Sequence, residues 1–299
     1  MGKKSFWFTT AATAGLVAVG SYMLHSALDR KPTAPLCAPE DEKGRALYDW
    51  FTQNAKRVTH RTYDKQRLCA WFIPHTDSRK YAIVCHGYTC SGQMMRHRAK
   101  PFYDMGFNIL LPDARAHGGS SGDMIGMGWP ERRDIVDWIY EILKRDKDAQ
   151  IILFGESMGA ATVMMTAGEV LPDNVKLVIE DCGYTDVLEE MQFMIRKKYN
   201  LPAFPIVPMA SILCRARNGY TFRRASAVDQ VRRCKIPMLF LHAECDEVVP
   251  YPMIFKLYEA ASCEKEMVTF PKAGHCQCAE TDPELYWNSI RGFIEKYMD

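Results

Sequence analysis

The sequence predicts an α/β fold with a mostly parallel, doubly wound sheet that helices cover on both faces. Short apolar runs alternate along the chain with segments of helical periodicity, and this alternation implies right-handed crossovers between parallel strands. One run, residues 151–154, passes directly into a Gly-x-Ser-x-Gly motif at residues 155–159 and then into an apolar helix. With 299 residues, 47% of them hydrophobic, the chain is long enough to bury a large core.

The predicted strands leave room for crossover helices between them. They are residues 67–74, 81–85, 108–111, 151–154, 177–179, 238–241 and 267–270. Residues 41–56, 130–143 and 284–298 carry apolar side chains at helical spacing, so each predicts a helix. Sites in such sheets lie beyond the carboxyl ends of the strands. Residues that carry chemistry are therefore expected directly after strands.

The segment around Ser157 predicts a nucleophile elbow, a sharp strand-to-helix turn that exposes a serine hydroxyl. Gly155 and Gly159 lack Cβ atoms where this turn must be tight and closely packed. The turn also aims the backbone N–H of Met158 at the position where an oxyanion would form. Gly-x-Ser-x-Gly alone is common by chance, and the strand–turn–helix context makes it specific.

A serine hydroxyl needs a general base, and that base needs an acid to orient it. His275 follows the last predicted strand, in a loop that can bring its imidazole over the elbow. Asp246 follows the predicted strand at 238–241. It gives the chain order Ser, Asp, His that is typical of this architecture. His242 and His117 are alternative bases. Asp181, which follows the predicted strand at 177–179, is the alternative acid.

A second oxyanion donor is expected in the His-Gly-Tyr segment at 86–88, which follows the strand at 81–85. We predict that the N–H groups of Tyr88 and Met158 together bind the oxyanion. The Tyr88 ring is then either a wall of the pocket or a surface group. Cys276-Gln277-Cys278 is not a metal motif on its own, and the predicted chemistry uses no metal and no organic cofactor.

Together these motifs resemble those of the α/β-hydrolase family over roughly residues 65–299. The matching segments are His86-Gly87, Asp113-x-Arg115-x-His117-Gly118-x-Ser120, Gly155-x-Ser157-x-Gly159, Asp246-x-Val248-Val249-Pro250 and Gly274-His275. The second of these is similar to a pattern in serine esterases, monoacylglycerol lipases and prolyl-oligopeptidase-type peptidases. In those relatives it shapes the end of the sheet and takes no part in the chemistry.

The resemblance does not fix the substrate. From the predicted triad and the apolar insert we expect a serine hydrolase that cleaves a carboxylic ester with an apolar acyl or alcohol part through an acyl-enzyme. The expected partner is thus a small-molecule ester, whose exact identity is left open, as is the oligomeric state. An exopeptidase or amidase on the same triad is the alternative, with Glu131 or Glu156 as the group that would bind a free amine. A non-catalytic binding protein is the remote alternative.

An insert at about residues 186–232 predicts a small helical cap over the serine. Its first part has apolar residues at helical spacing, and prolines interrupt the second part. Such a cap would exclude water and line an acyl pocket, although its apolar faces would also suit plain core packing.

Basic residues are concentrated in residues 191–235, a segment with a net charge of +9 in a chain whose net charge is +2. The ten basic residues are Arg196, Lys197, Lys198, Arg215, Arg217, Arg223, Arg224, Arg232, Arg233 and Lys235. The segment is interpreted either as a solvated face or as a surface for anionic lipid headgroups or an acidic substrate. The net charge of the whole chain is close to zero, so it gives no reason to expect a nucleic-acid partner.

The N-terminal segment, residues 1–28, predicts a membrane anchor, because residues 6–24 carry no charge and are long enough to cross a bilayer. A cleaved signal peptide, with Ala18-Val19-Gly20 as its cleavage site, is the second interpretation, and a buried helix of the domain is the third. Prolines in residues 29–40 predict a semi-rigid spacer before a catalytic domain at 41–299.

The expected location is therefore a membrane, with the catalytic domain extracytoplasmic and held by a single N-terminal segment. Secretion after signal cleavage is the alternative. The eleven cysteines argue mildly against export. Several of them lie in apolar runs and resemble core residues, which is typical of proteins in a reducing compartment.

Overall fold

The sheet has eight strands in the part of the chain that this computed structural model describes. Its backbone covers residues 2–33 and 35–298, and its side chains cover residues 14–33 and 35–298. The strands are β1 Lys56–Arg61, β2 Arg67–Ile73, β3 Lys80–Cys85, β4 Asn108–Asp113, β5 Gln150–Glu156, β6 Val175–Asp181, β7 Met238–Ala243 and β8 Lys265–Phe270. Their spatial order is β1-β2-β4-β3-β5-β6-β7-β8. Strand β2 runs antiparallel to its neighbours β1 and β4, and every other pair is parallel.

Helices cover both faces of this sheet. They are α1 Gly2–Leu28, α2 Glu42–Asn54, α3 Arg96–Asp104, α4 Glu131–Leu143, α5 Met158–Ala167, α6 Val187–Tyr199, α7 Ala203–Asn218, α8 Ala227–Val231, α9 Pro252–Ala260, α10 Cys278–Thr281 and α11 Pro283–Met298. One buried cluster includes Trp138 of α4 and Met164 of α5. A second, on the other face, includes Phe102 of α3 and Phe293 of α11. The predicted mostly parallel, doubly wound architecture is confirmed.

Strand β1 has no counterpart among the sequence-based predictions. It pairs with β2 alone, at the edge of the sheet, and its exposed positions carry Lys56, Arg57 and Arg61. Charged outward side chains are typical of edge strands, because they discourage pairing with other chains. The same charges remove the hydrophobic alternation by which a strand is recognised in a sequence.

The C-terminal half of α1 belongs to the folded body. Leu24 and Leu28 are buried in the larger core cluster. Gly20 lies so close to α7 that a Cβ atom at this position would stand 2.7 Å from the Met209 side chain. Over residues 20–28, α1 thus buries one face, with Gly20, Leu24 and Leu28, against the rest of the domain.

The residues that follow α1 are also bound to the domain. Asp29 accepts a hydrogen bond from Arg217 at 2.7 Å. The Arg30 guanidinium donates to the carbonyl oxygens of Gly118 and Ser120 at 2.9 and 2.8 Å. Polar contacts therefore fix the beginning of the expected spacer at residues 29–40. The folded domain begins before residue 41.

In the part of the chain that the structure describes, we find no helix with an apolar stretch long enough to cross a membrane. Residues 6–13 of the expected anchor lie outside the described side chains.

Candidate active site

Ser157 lies at the tip of a strained turn between β5 and α5, with φ +54° and ψ −117°. A Cβ at Gly155 would stand 2.2 Å from the carbonyl oxygen of Gly159, and a Cβ at Gly159 would stand 2.2 Å from that of Cys85. Only glycine fits at either position, because both distances are far below van der Waals contact. The two glycines of the motif thus have the steric role that the sequence predicted.

The structure brings His275 and Asp246 to this serine in one hydrogen-bonded chain. His275 Nε2 is 2.8 Å from Ser157 Oγ, and His275 Nδ1 is 2.6 Å from Asp246 Oδ2. The other carboxylate oxygen, Oδ1, accepts the backbone N–H groups of Val248 and Val249, both at 2.8 Å. The buried Asp246 carboxylate is thus held on both sides, and it orients the imidazole toward Ser157.

The alternative bases have other partners. His242 is fully buried, and its Nε2 donates to the carbonyl oxygen of Val249 at 3.2 Å. His117 Nε2 accepts the backbone N–H of Thr89 at 3.2 Å. No hydrogen bond joins either ring to Ser157 in the described chain.

The alternative acid, Asp181, also has hydrogen-bond partners other than the His275 imidazole. Its carboxylate accepts the Tyr286 hydroxyl at 2.7 Å, and its backbone carbonyl accepts the N–H of Ser157 at 2.8 Å. Asp181 therefore supports the elbow through its main chain, while its side chain faces α11.

The loop after β3 lies directly against the nucleophile. A Cβ at Gly87 would be 3.5 Å from Ser157 Cβ and 4.0 Å from Ser157 Oγ. Within the described chain, the Tyr88 N–H makes no hydrogen bond, and the Met158 N–H begins α5, where no intrahelical acceptor exists. Both are free to donate to an oxyanion. The Tyr88 hydroxyl donates to the Ala27 carbonyl at 2.7 Å, which ties this loop to α1.

The Asp-x-Arg-x-His-Gly segment braces the same loop from behind. His86 Nε2 accepts the N–H of Ala114 at 3.0 Å, and its Nδ1 donates to the Gly87 carbonyl at 2.7 Å. One nitrogen must accept and the other must donate, so the ring must be neutral. Burial lowers the pKa of His86 to about 4, which keeps it so at neutral pH.

A largely apolar pocket of about 220 Å³ opens onto Ser157. Three parts of the chain supply most of its wall. They are Val19, Tyr22, Met23, Ser26 and Ala27 of α1, Glu190, Met191, Met194, Ile195, Lys198 and Tyr199 of α6, and Ile206 of α7. The Tyr88 ring lines the same pocket. Helices α6 and α7 belong to the segment at about residues 186–232, whose role as a cap stays a prediction. Sequence reasoning missed the contribution of α1 because it assigned that helix to an anchor.

Sequence reasoning also missed an acidic residue of the pocket, Glu190. Its side chain lines the pocket and is buried, and Oε2 has no hydrogen-bond partner in the described chain. Burial raises the pKa of Glu190 to about 8. It follows Glu189 in the first turn of α6, where acidic residues are usual because they suit the helix dipole. Nothing local in the sequence therefore distinguished it.

The eleven cysteines are all free thiols. Cys182 and Cys278 have their sulfur atoms 3.9 Å apart beneath the site. Within the described chain, two sets of donor atoms are close enough to hold a metal ion, namely Asp181 with Cys182 and Cys278, and Cys182 with Asp246 and His275. The second set shares Asp246 and His275 with the hydrogen-bonded chain to Ser157.

Comparison with known proteins agrees with this architecture. The family model described as the alpha/beta hydrolase fold matches residues 83–205. The chain has the α/β-hydrolase fold. It is similar to the uncharacterized protein YqkD of Bacillus subtilis strain 168, with 26% identity over 99% of either chain.

Two solved structures show the same fold in characterised members. The esterase Pf2001 of Pyrococcus furiosus superposes with a TM-score of 0.69 at 22% identity, covering 90% of this chain and 100% of the esterase. The acylaminoacyl peptidase of Pyrococcus horikoshii gives 0.61 at 20% identity, covering 81% of this chain and 41% of the peptidase. The fold of this chain therefore has both an esterase and a peptidase among its structural neighbours.

The site predicts an unusual titration of His275. Burial of the ring lowers its pKa, but the hydrogen bond and charge of Asp246 raise it more, so the net pKa of His275 lies above its usual value. We expect a midpoint above about 6.5 when the ring is followed by NMR through a pH titration. Asp246→Asn should bring the midpoint below that value, because the desolvation of the imidazolium is then uncompensated.

Asp181→Asn is the matched control, since that carboxylate contacts Tyr286 and makes no hydrogen bond to His275 in the described chain. It should leave the midpoint nearly unchanged. An equal fall in both variants would contradict the assignment of the shift to Asp246.

Proposed function

We propose that this protein is a serine hydrolase that cleaves a carboxylic ester with an apolar part through an acyl-enzyme on Ser157. The observation that carries the proposal is the continuous hydrogen-bonded chain Asp246–His275–Ser157, with separations of 2.6 and 2.8 Å. Such a chain supplies an activated hydroxyl, a base and an orienting acid at a single point. Since the apolar pocket opens at this hydroxyl, substrate and nucleophile would meet there.

In the proposed mechanism Ser157 Oγ attacks the ester carbonyl while His275 Nε2 takes the hydroxyl proton. Asp246 stabilises the resulting imidazolium through Nδ1–H. The N–H groups of Tyr88 and Met158 donate to the oxyanion of the tetrahedral intermediate. The intermediate collapses when His275 returns the proton to the leaving alcohol, and the acyl group remains on Oγ. A water molecule, deprotonated by the same imidazole, then releases the acid.

The pocket wall supports an apolar acyl or alcohol part. Each CH₂ group transferred from water to such a surface contributes about 0.8 kcal/mol. Met23, Met191 and Met194 are unbranched side chains that adapt to different shapes, so the pocket suits flexible chains.

Cleavage of a substrate with a free amine is a second candidate, and one observation favours it. Glu131 and Glu156, the groups considered for amine binding, do not line the pocket: Glu131 accepts the N–H of Gly126, and Glu156 pairs with Arg98 at 2.5 Å. Glu190 does line it, with an unpartnered carboxyl oxygen. An ammonium group beside Glu190 would lower the pKa of this carboxyl and form an ion pair, as an exopeptidase that recognises a free amino terminus requires.

Membrane attachment of the chain and an extracytoplasmic catalytic domain stay predictions from the sequence. Binding of substrate depends on neither of them in the mechanism above.

The nucleophile is tested with a fluorophosphonate probe, which mimics the tetrahedral intermediate and needs an activated hydroxyl. We expect stoichiometric labelling at Ser157, measured by intact mass and peptide mapping. Ser157→Ala should abolish both labelling and ester hydrolysis. Ser262→Ala, an exposed serine outside the pocket, should preserve both. Undiminished labelling of the Ser157 variant would refute the proposal.

The choice between ester and amine-bearing substrates is tested with Glu190→Gln. If the substrate carries a free amine, loss of the carboxylate should reduce kcat/KM by about 10-fold or more on aminoacyl substrates, since a charged hydrogen bond contributes about 1.5–3 kcal/mol. Neutral apolar esters should change far less. Glu189→Gln is the control because that side chain faces Thr185 and Lys256 outside the pocket. Equal effects on both substrate classes would exclude amine recognition by Glu190.

The contribution of α1 to specificity is tested at Met23. Met23→Ala enlarges the pocket, so the ratio of kcat/KM for long to short acyl esters should rise, by about 10-fold if one or two methylenes gain contact. Met23→Trp should shift the ratio the other way. Met94→Ala removes the same atoms from an exposed site outside the pocket and should leave the ratio unchanged. A constant chain-length profile in both Met23 variants would remove α1 from the substrate wall.

A further inference from the structure

A second cavity, of about 850 Å³, is lined by arginine side chains and shares no lining residue with the catalytic pocket. It lies between the first turn of α4, the C-terminal end of α7 and the single turn at residues 222–224. We refer to it as the arginine groove. Its arginines are Arg115, Arg132, Arg133, Arg215, Arg223 and Arg224.

Two of these arginines are neutralised by nearby acids. Arg115 forms ion pairs with Asp64 and Asp134, both at 2.6 Å. Arg132 forms one with Glu169 at 2.7 Å.

The other four have no carboxylate within ion-pair distance in the described part of the chain. They are Arg133, Arg215, Arg223 and Arg224, and all four are exposed. The acids of the groove do not compensate them: Asp64 is engaged by Arg115, and Asp229 pairs with Arg232, which lies outside the groove. Four positive charges thus face one cavity without a counter-ion from the protein.

The position of Arg133 adds a local argument. It lies in the first turn of α4, where the helix dipole disfavours a cation. The N–H groups of Arg132 and Arg133 already donate to the carbonyl oxygens of Gly128 and Pro130. The attraction for an anion at this position therefore comes from the Arg133 guanidinium.

Part of the groove is held in place by stacking. The Arg132 guanidinium lies 3.5 Å from the centroid of the Trp129 ring, and that of Arg224 lies 5.7 Å from it. Cation–π contacts of this kind fix long side chains that would otherwise sample many rotamers. Arg224 therefore loses less conformational entropy when it binds a ligand than a freely moving arginine would.

We propose that the arginine groove binds an anion that carries two or more phosphate groups. The planar guanidinium donates paired hydrogen bonds that match phosphate oxygens, and four unpaired guanidiniums exceed what one phosphate can neutralise. A polyphosphorylated lipid headgroup and a soluble polyphosphate share this chemistry. The site is separate from the proposed hydrolysis and does not depend on it.

Tertiary structure, more than the basic run of the sequence, defines this groove. Of the ten basic residues between 191 and 235, three line it, while Arg217 pairs with Asp29 and Lys197 with Glu247. Arg133 comes from α4, far away in the sequence.

The first experiment uses the full-length protein and inositol hexakisphosphate as the soluble probe, with binding measured by calorimetry at low salt. We expect one site, weakened as salt rises because the charges are screened. Arg223→Ala with Arg224→Ala should weaken binding by about 100-fold, since each lost charged hydrogen bond is worth about 10-fold. The control, Arg196→Ala with Arg233→Ala, removes the same charge from exposed positions outside the groove.

The second experiment separates the two sources of phosphate. Full-length protein is added to phosphatidylcholine vesicles that contain phosphatidylinositol bisphosphate, or phosphatidylserine at equal total charge. Stronger sedimentation with the bisphosphate vesicles, lost in the Arg223/Arg224 variant and kept in the control, assigns the headgroup as ligand. Binding of the soluble probe without this preference assigns a free polyphosphate.

Three results would overturn the proposal. They are no binding in either experiment, equal losses in the groove and control variants, and binding to vesicles that depends on total charge alone with no binding of the soluble probe. Both variants should keep fluorophosphonate labelling of Ser157 and their melting temperature, which shows that the fold is intact. Labelling and groove binding are independent readouts, so failure of one proposal is distinguishable from failure of the other.

Discussion

The close approach of α5 to the end of β3 is the constraint on which the candidate site depends. No side chain fits at position 159, because a Cβ there would stand 2.2 Å from the Cys85 carbonyl oxygen. This contact sets the Met158 N–H beside the loop that carries the Tyr88 N–H. It also holds Ser157 at a positive φ, a strain of about 1–3 kcal/mol that the surrounding packing offsets.

The N-terminal helix is connected to this arrangement at two points. Its residues line the pocket, and the Ala27 carbonyl accepts the Tyr88 hydroxyl, so α1 contacts both the substrate space and the oxyanion loop. Leu24 and Leu28 anchor that contact in the core. A change in the position of α1 would therefore alter the pocket and one proposed oxyanion donor together. Removing this helix to obtain a shorter chain would open the pocket to solvent.

The apolar pocket and the arginine groove differ in chemistry and meet at one loop. Met127 lines the apolar pocket at Ser157, and Trp129, two residues later, lines the arginine groove. Tyr184 and Tyr220 donate from their hydroxyls to the carbonyl oxygens of Met127 and Gly126. These hydrogen bonds thus fix the short loop that lies between the apolar pocket and the arginine groove.

The sequence by itself determined seven of the eight strands, the elbow and the residues that gather around it. Those features are local: strand periodicity, glycine spacing at Ser157, and the placement of Asp246 and His275 directly after strands of a parallel sheet. Tertiary structure alone decided that α1 walls the pocket, that Glu190 is buried and unpartnered, and that Arg133 joins Arg223 and Arg224 in one groove. Burial and charge pairing depend on which distant segments pack together, and no window of the sequence contains that information.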